Sequence, residues 1–146
     1  MPEVVLVTGS TGFLGRRVVD AIKARGYEVV APLRRDLDLL DQESVENRVR
    51  EIMPDIIVNS AAYYGGLGIC MNEPANLFSL NIRMFINLLE AAAKAGVKRF
   101  IPIGSACAYP GDVAGDMKEE EYWSGRLHSS VEAYGFNKKV QQVGVT

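Results

Sequence analysis

Tyr134 and Lys138 are the residues of this 146-residue chain whose types and spacing point most directly to chemistry. They stand four apart in Tyr134-Gly135-Phe136-Asn137-Lys138, so on a helix they share one face, with Cβ atoms about 5–6 Å apart. A free phenol titrates near pH ~10 and trades protons at neutrality only if that value falls by roughly three units. A neighbouring ammonium favours the phenolate and is expected to lower it. Upstream, Gly104-Ser105-Ala106-Cys107-Ala108-Tyr109-Pro110 supplies a hydroxyl and a thiol in one loop. The bland reading of any such Tyr/Lys pair is a solvated helical surface, so its weight depends on what surrounds it.

A second motif supplies that context. Thr8-Gly9-Ser10-Thr11-Gly12-Phe13-Leu14-Gly15 lies between an apolar strand-like run and an amphipathic stretch. In this pattern Gly9 permits the tight turn, Gly12 lets backbone approach a pyrophosphate, and Gly15 allows close packing of the helix. The amides and partial positive charge of the helix start then face phosphate. With the loop after the third strand, Ala61-Ala62, these residues form a candidate cofactor set: Gly9, Thr11, Gly12, Phe13, Leu14, Gly15, Ala61 and Ala62, with Tyr134 and Lys138 at the nicotinamide end. A residue at the end of the second strand separates NAD from NADP. That position falls near Leu33 and is followed by Arg34 and Arg35, with no carboxylate before Asp36. Two guanidiniums suit a 2′-phosphate, which favours NADP and leaves NAD open. Asp38 or Leu39 is the candidate for the adenine edge.

Strand and helix signals alternate along the chain. Strands are expected at Val4 to Thr8, Glu28 to Ala31, Ile56 to Val58 and Phe100 to Ile103, with Asp36 to Leu39 a further candidate. Helices are expected at Phe13 to Arg25, with Leu14, Val18 and Ile22 inward, at Asp41 to Met53, with Val45, Val49 and Ile52 inward, and at Asn76 to Ala95. Gly26, Pro54 and Gly96 mark helix ends. Continuously apolar strands separated by helices indicate α/β architecture: a Rossmann-like doubly wound parallel sheet with helices on both faces. Residues 1–146 are read as one NAD(P)-binding Rossmann domain that is incomplete. The chain stops eight residues after Lys138, whereas a complete dinucleotide fold has about six strands. The expectation is an N-terminal fragment whose C-terminal strands and substrate domain are missing.

Composition agrees with a small-molecule enzyme. Hydrophobic residues make up 48% and the formal charge is −2, and no basic run offers a nucleic-acid surface. No apolar run approaches a membrane span and no leader pattern opens the chain, so a soluble, cytoplasmic protein is expected, with neither nucleic acid nor membrane as partner. Two cysteines and one histidine suggest free thiols and no metal site.

These residues together resemble the extended short-chain dehydrogenases/reductases that act on nucleotide sugars, and within them the GDP-L-fucose synthase family. The resemblance rests on the Thr8 to Gly15 turn, Ala61-Ala62 with Gly65-Gly66, Pro74-Ala75, Asn81, the Gly104 to Pro110 loop and Tyr134 to Lys138, and it covers the whole chain. It implies that Ser105 helps hold the sugar C4 oxygen, that Tyr134 donates or accepts its proton, and that Lys138 holds the nicotinamide ribose. It also implies that Cys107 shares acid/base work at C3 and C5 with a histidine. In the family that histidine lies about forty residues beyond the tyrosine, past Thr146. His128, the only histidine here, precedes Tyr134 and is not promoted to that role. Tyr63 and Tyr64 are read as facing the sugar or as packing, Asn81 as bonding backbone across the site, Cys70 as ordinary packing, and the Trp123 loop as packing. The resemblance further implies a nucleotide-sugar substrate and a homodimer in the complete enzyme.

The leading reading is therefore NADP-dependent epimerisation and reduction of a nucleotide-linked 4-keto-6-deoxy sugar. Another NAD(P)-dependent nucleotide-sugar epimerase or dehydratase is the alternative enzyme. A non-catalytic dinucleotide-binding module is the alternative of a different class, weighed against the retention of Ser105, Tyr134 and Lys138. The fragment alone is expected to bind cofactor, with its own turnover left open.

Overall fold

A computed structural model describes residues 2–113 and 115–145. They divide into two compact units, one holding the residues up to Ala62 together with Arg83–Ile103, the other Tyr63–Ile82 and the residues from Gly104 onward.

The first unit is built on four strands: β1 (Val4–Thr8), β2 (Glu28–Val30), β3 (Ile56–Asn59) and β4 (Arg99–Pro102). All pairings are parallel, in the order β2-β1-β3-β4. Alternation along the strands sends Leu6 and Ile57 to one face and Val5, Val7, Ile56 and Val58 to the other. Helix α1 (Phe13–Lys23) covers the second face through Val18, Val19 and Ile22. Helix α2 (Gln42–Ile52) and the later turns of α4 (Pro74–Ala95) cover the first, through Val45, Val49, Leu88, Ala91 and Ala92. This is the Rossmann-like arrangement expected: a parallel sheet clothed on both sides, with its chain path reversing at β1 and β3, where open α/β sheets bind ligands.

Several local expectations shift. Leu14 was expected inward but is 44% exposed, and Val19 takes the buried place on α1. No strand forms at 36–39. The amides of Asp36 and Leu37 both bond the carbonyl of Leu33, which coils the chain, and Leu37 and Leu39 plug the core. The Leu39 side chain is thus turned into the core. Asp38 accepts from the Leu40 amide at 3.0 Å. Helix α2 starts on a side-chain cap, Asp41 accepting from the Ser44 amide, and ends with Met53 in the left-handed conformation (φ 48°) before Pro54. β4 is only half buried, with Ile101 exposed on one face.

The second unit contains α3 (Leu67–Asn72), the first turns of α4, helix α5 (Glu132–Val145), and short 3-10 turns at Ala106–Ala108, Glu119–Glu121 and Ser129–Val131. Helix α3 was not anticipated; Gly66, at φ 80°, opens it. An antiparallel bridge joins Pro110 to Leu127. The loop with Trp123 rests on α5: Lys139 Nζ lies 4.8 Å from the Trp123 ring centroid and 5.5 Å from that of Tyr122, and Trp123 Nε1 donates to Gln142 at 3.1 Å. Among the described residues no helix is long and apolar enough to cross a membrane.

Candidate active site

In the first unit the glycine turn follows β1 at the carboxyl edge of the sheet. Gly9 adopts φ 65°, and a Cβ there would stand 2.7 Å from the Ala61 nitrogen, so only glycine lets the turn meet the end of β3. A Cβ on Gly15 would collide with the carbonyl of Gly9 and the backbone of Ser10. The packing demand at Gly15 therefore comes from the backbone of the turn, on which the helix packs. Gly12 differs: its N–H donates to the Gly9 carbonyl at 3.0 Å, and a Cβ would have that oxygen, at 3.2 Å, as its only near neighbour.

Helix α1 has Gly12 as N-cap, with no side-chain cap and no acidic residue in its first turn. Its opening amides are thus left for a ligand of negative charge, and the turn fits the diphosphate of a dinucleotide. Thr11, Phe13 and Leu14 are exposed around it, Phe13 at 80%. Ser10 Oγ donates to the Pro32 carbonyl at 3.2 Å, tying the turn to the segment that leads into Arg34 and Arg35. Both arginines are exposed, and Arg35 Nε lies 3.7 Å from Asp36 Oδ1. Such a surface pair is weak and leaves the guanidinium available to a phosphate. Thr8 Oγ1 donates to Asn59 Oδ1 at 2.6 Å, and Ser60 Oγ bonds the Thr8 carbonyl, which locks the ends of β1 and β3 beneath Ala61 and the exposed Ala62.

The second unit gathers the candidate reacting groups. Ser105 caps the turn at Ala106–Ala108, its Oγ accepting from the Cys107 amide at 3.2 Å. That turn packs on α5 at Gly135, where a Cβ would strike the Cys107 carbonyl. Ser105, Cys107, Tyr134 and Lys138 are thereby brought into one neighbourhood. Lys138 Nζ sits 5.5 Å from the Tyr134 ring centroid, and its side chain is buried and bonds Gln141 Oε1 at 3.3 Å.

The electrostatics differ from the sequence expectation. Burial, reinforced by Cys107, Tyr64 and Cys70, pushes the Tyr134 phenol up to about 12. Burial pulls the Lys138 ammonium down to about 8. The lysine stands over the ring, and desolvation sets the direction for both groups. Tyr134 is consequently a proton-holding group at neutral pH, where a ready phenolate was anticipated.

Other residues resolve more simply. Asn81 bonds backbone as expected: Oδ1 accepts from the Tyr63 amide at 2.8 Å while Nδ2 donates to the Tyr63 carbonyl at 2.9 Å. The Tyr63 hydroxyl donates to Glu73 at 3.2 Å. Tyr64 lies against Tyr134, ring centroids 4.5 Å apart. His128 is exposed and caps the turn at Ser129–Val131, with Nδ1 2.7 Å from Ser130 Oγ. Sequence reasoning passed over Gly135, although a glycine inside a helix costs about 1 kcal/mol against alanine and so signals a close approach. It also read Cys70 as packing. That thiol is buried, and burial pushes it up. Asn137 Oδ1 is buried with no hydrogen-bond partner among the described residues, and no pattern in the sequence announces it.

Known proteins are similar to this chain in sequence and fold. The chain is 31% identical to the GDP-L-colitose synthase of Yersinia pseudotuberculosis over 134 residues, which are 92% of this chain and 44% of that protein. It is 31% identical to the GDP-L-fucose synthase of Azorhizobium caulinodans over 136 residues, 93% of this chain and 44% of the relative. The chain thus spans less than half the length of these curated relatives. A crystal structure of a GDP-L-fucose synthetase from Naegleria fowleri bound to NADP superposes with a TM-score of 0.85 at 27% identity, covering 97% of this chain and 42% of the other. The model of the NAD dependent epimerase/dehydratase family matches residues 5–143. That span takes in the glycine turn, the Ser105/Cys107 loop and the Tyr134/Lys138 helix alike, and the chain belongs to the NAD dependent epimerase/dehydratase family.

Proposed function

We propose that the protein binds NADP and takes part in epimerisation and reduction of a nucleotide-linked 4-keto-6-deoxy sugar, as in the GDP-L-fucose synthases that it resembles. The observation that carries this reading is the packing of the Cys107 carbonyl on Gly135, which sets a hydroxyl, a thiol, a phenol and an ammonium in one neighbourhood. The relatives' names, GDP-L-colitose synthase and GDP-L-fucose synthase, supply the substrate class. The reduced cofactor, NADPH, would supply the hydride in such a reduction.

The chain's own residues divide the remaining work. The amides at the start of α1 and the backbone of Gly12 hold the diphosphate, and Arg34 and Arg35 receive the 2′-phosphate. Lys138 holds the nicotinamide ribose. Ser105 Oγ bonds the sugar C4 oxygen, and Tyr134, kept protonated by burial, delivers its proton there. A phenol held in this form is equipped for the reductive direction, in which a carbonyl oxygen gains a proton. Cys107 exchanges protons at the carbons next to the C4 ketone, whose acidity comes from the carbonyl. The protein acts as a homodimer.

The test is calorimetric titration with NADPH and with NADH, followed by assay of NADPH oxidation on a GDP-4-keto-6-deoxy hexose. Tighter binding of NADPH and ketone-dependent oxidation are expected. Binding of neither nucleotide would overturn the reading.

A further inference from the structure

We propose that Tyr64 is a positioning residue for Tyr134, its ring holding the Tyr134 phenol in the orientation from which it meets a carbonyl oxygen. The inference rests on the reading of Tyr134 as proton donor and adds a residue to it. Tyr64 is 47% exposed, so its ring is not a core residue whose placement follows from burial. Two independent features nevertheless set its backbone.

Before it, Asn81 binds both the amide and the carbonyl of Tyr63, at 2.8 and 2.9 Å, while the same Nδ2 bonds the Leu77 carbonyl at 2.8 Å. Every polar group of a buried asparagine is thus spent on the backbone around the residue preceding Tyr64. After it, a Cβ on Gly65 would collide with the Ile69 side chain, and Gly66 takes φ 80° to open α3. A residue fixed at the backbone on both sides then lays its ring against the Tyr134 ring, centroids 4.5 Å apart and planes tilted by 38°. Offset, tilted contact of this kind is an attractive aromatic geometry.

Lys138 Nζ is the other group placed on the Tyr134 ring, 5.5 Å from its centroid. Together the two contacts limit how the phenol turns about its side-chain bonds. Misorientation of a proton donor is costly because the reacting atoms must stand within hydrogen-bond reach.

The test compares Tyr64→Ala with Tyr64→Phe, using NADPH and a nucleotide-linked 4-keto-6-deoxy sugar. The alanine variant is expected to lose about 10-fold in kcat with KM within about twofold, and phenylalanine, which keeps the ring, to restore kcat. Unchanged kcat in the alanine variant, or a phenylalanine variant as slow as alanine, would overturn the proposal. A second readout needs no turnover: the ring resonances of Tyr134 in protein carrying 13C-labelled tyrosine, assigned through Tyr134→Phe. They should move in Tyr64→Ala and stay in Tyr64→Phe. Resonances unmoved by Tyr64→Ala would overturn the positioning role. Should the wild-type protein reduce no such ketone, that result counts against the functional reading, and the resonances still decide the role of Tyr64.

Discussion

The carbonyl oxygen of Cys107 occupies the space that a side chain at Gly135 would need. This one close approach lets the loop carrying Ser105 and Cys107 lie on the helix turn that begins at Tyr134. Gly135→Ala should therefore destabilise the fold by about 1–3 kcal/mol, the cost of overpacking a tight site. Urea unfolding measures it, and a variant as stable as the parent would show that the loop moves aside freely.

Tyr134→Phe removes the proton while keeping the ring. The hydride step should slow by about 10²-fold or more with NADPH affinity nearly unchanged. Single-turnover kinetics separates the two, and full turnover in the variant would reject Tyr134 as donor.

Lys138 gives a pH signature. Burial lowers its folded-state value to about 8, below the ordinary lysine value of about 10.4. Below pH 8 the ammonium is charged in both states and the burial penalty is fully present. Between about 8 and 10.4 the unfolded chain binds more protons, so this group makes stability rise with pH. Lys138→Met should stabilise the protein by about 1–2 kcal/mol at pH 7, and the gain should shrink as pH climbs from about 8 to 10.4. A gain that grows with pH would contradict the assignment. Tyr134, raised to about 12, acts in the opposite sense: the folded state retains its proton longer, so its contribution falls as pH climbs from about 10 to 12.

Arg34 and Arg35 are exposed beside the segment that Ser10 anchors. Replacing both by serine should weaken NADPH binding about 10-fold or more while leaving NADH nearly untouched, as expected for loss of charge-assisted bonds to a 2′-phosphate. Equal losses for the two nucleotides would remove the arginines from cofactor choice.

Cys107→Ser should slow exchange of solvent deuterium into the sugar more than it slows reduction of an already epimerised ketone. Mass spectrometry of the sugar reads the first and NADPH absorbance the second. Equal effects would make Cys107 a packing residue.

The sequence by itself determined the alternation of strands and helices, because apolar periodicity and the breakers Gly26, Pro54 and Gly96 are local properties. It also determined the Rossmann-like fold and the nucleotide turn, whose glycines are dictated by backbone geometry within a few residues. Tertiary structure decided the rest. Whether residues 36–39 pair as a strand depended on what the core lacked, and it took Leu37 and Leu39 as plugs. The Tyr134 phenol moved up where local reasoning sent it down, since desolvation is set by all the groups packed around a site while spacing reveals only the neighbouring lysine. The places of Tyr64, Cys70 and Gly135 follow from contacts between segments far apart in the chain, and such contacts leave no periodic trace in the order of residues.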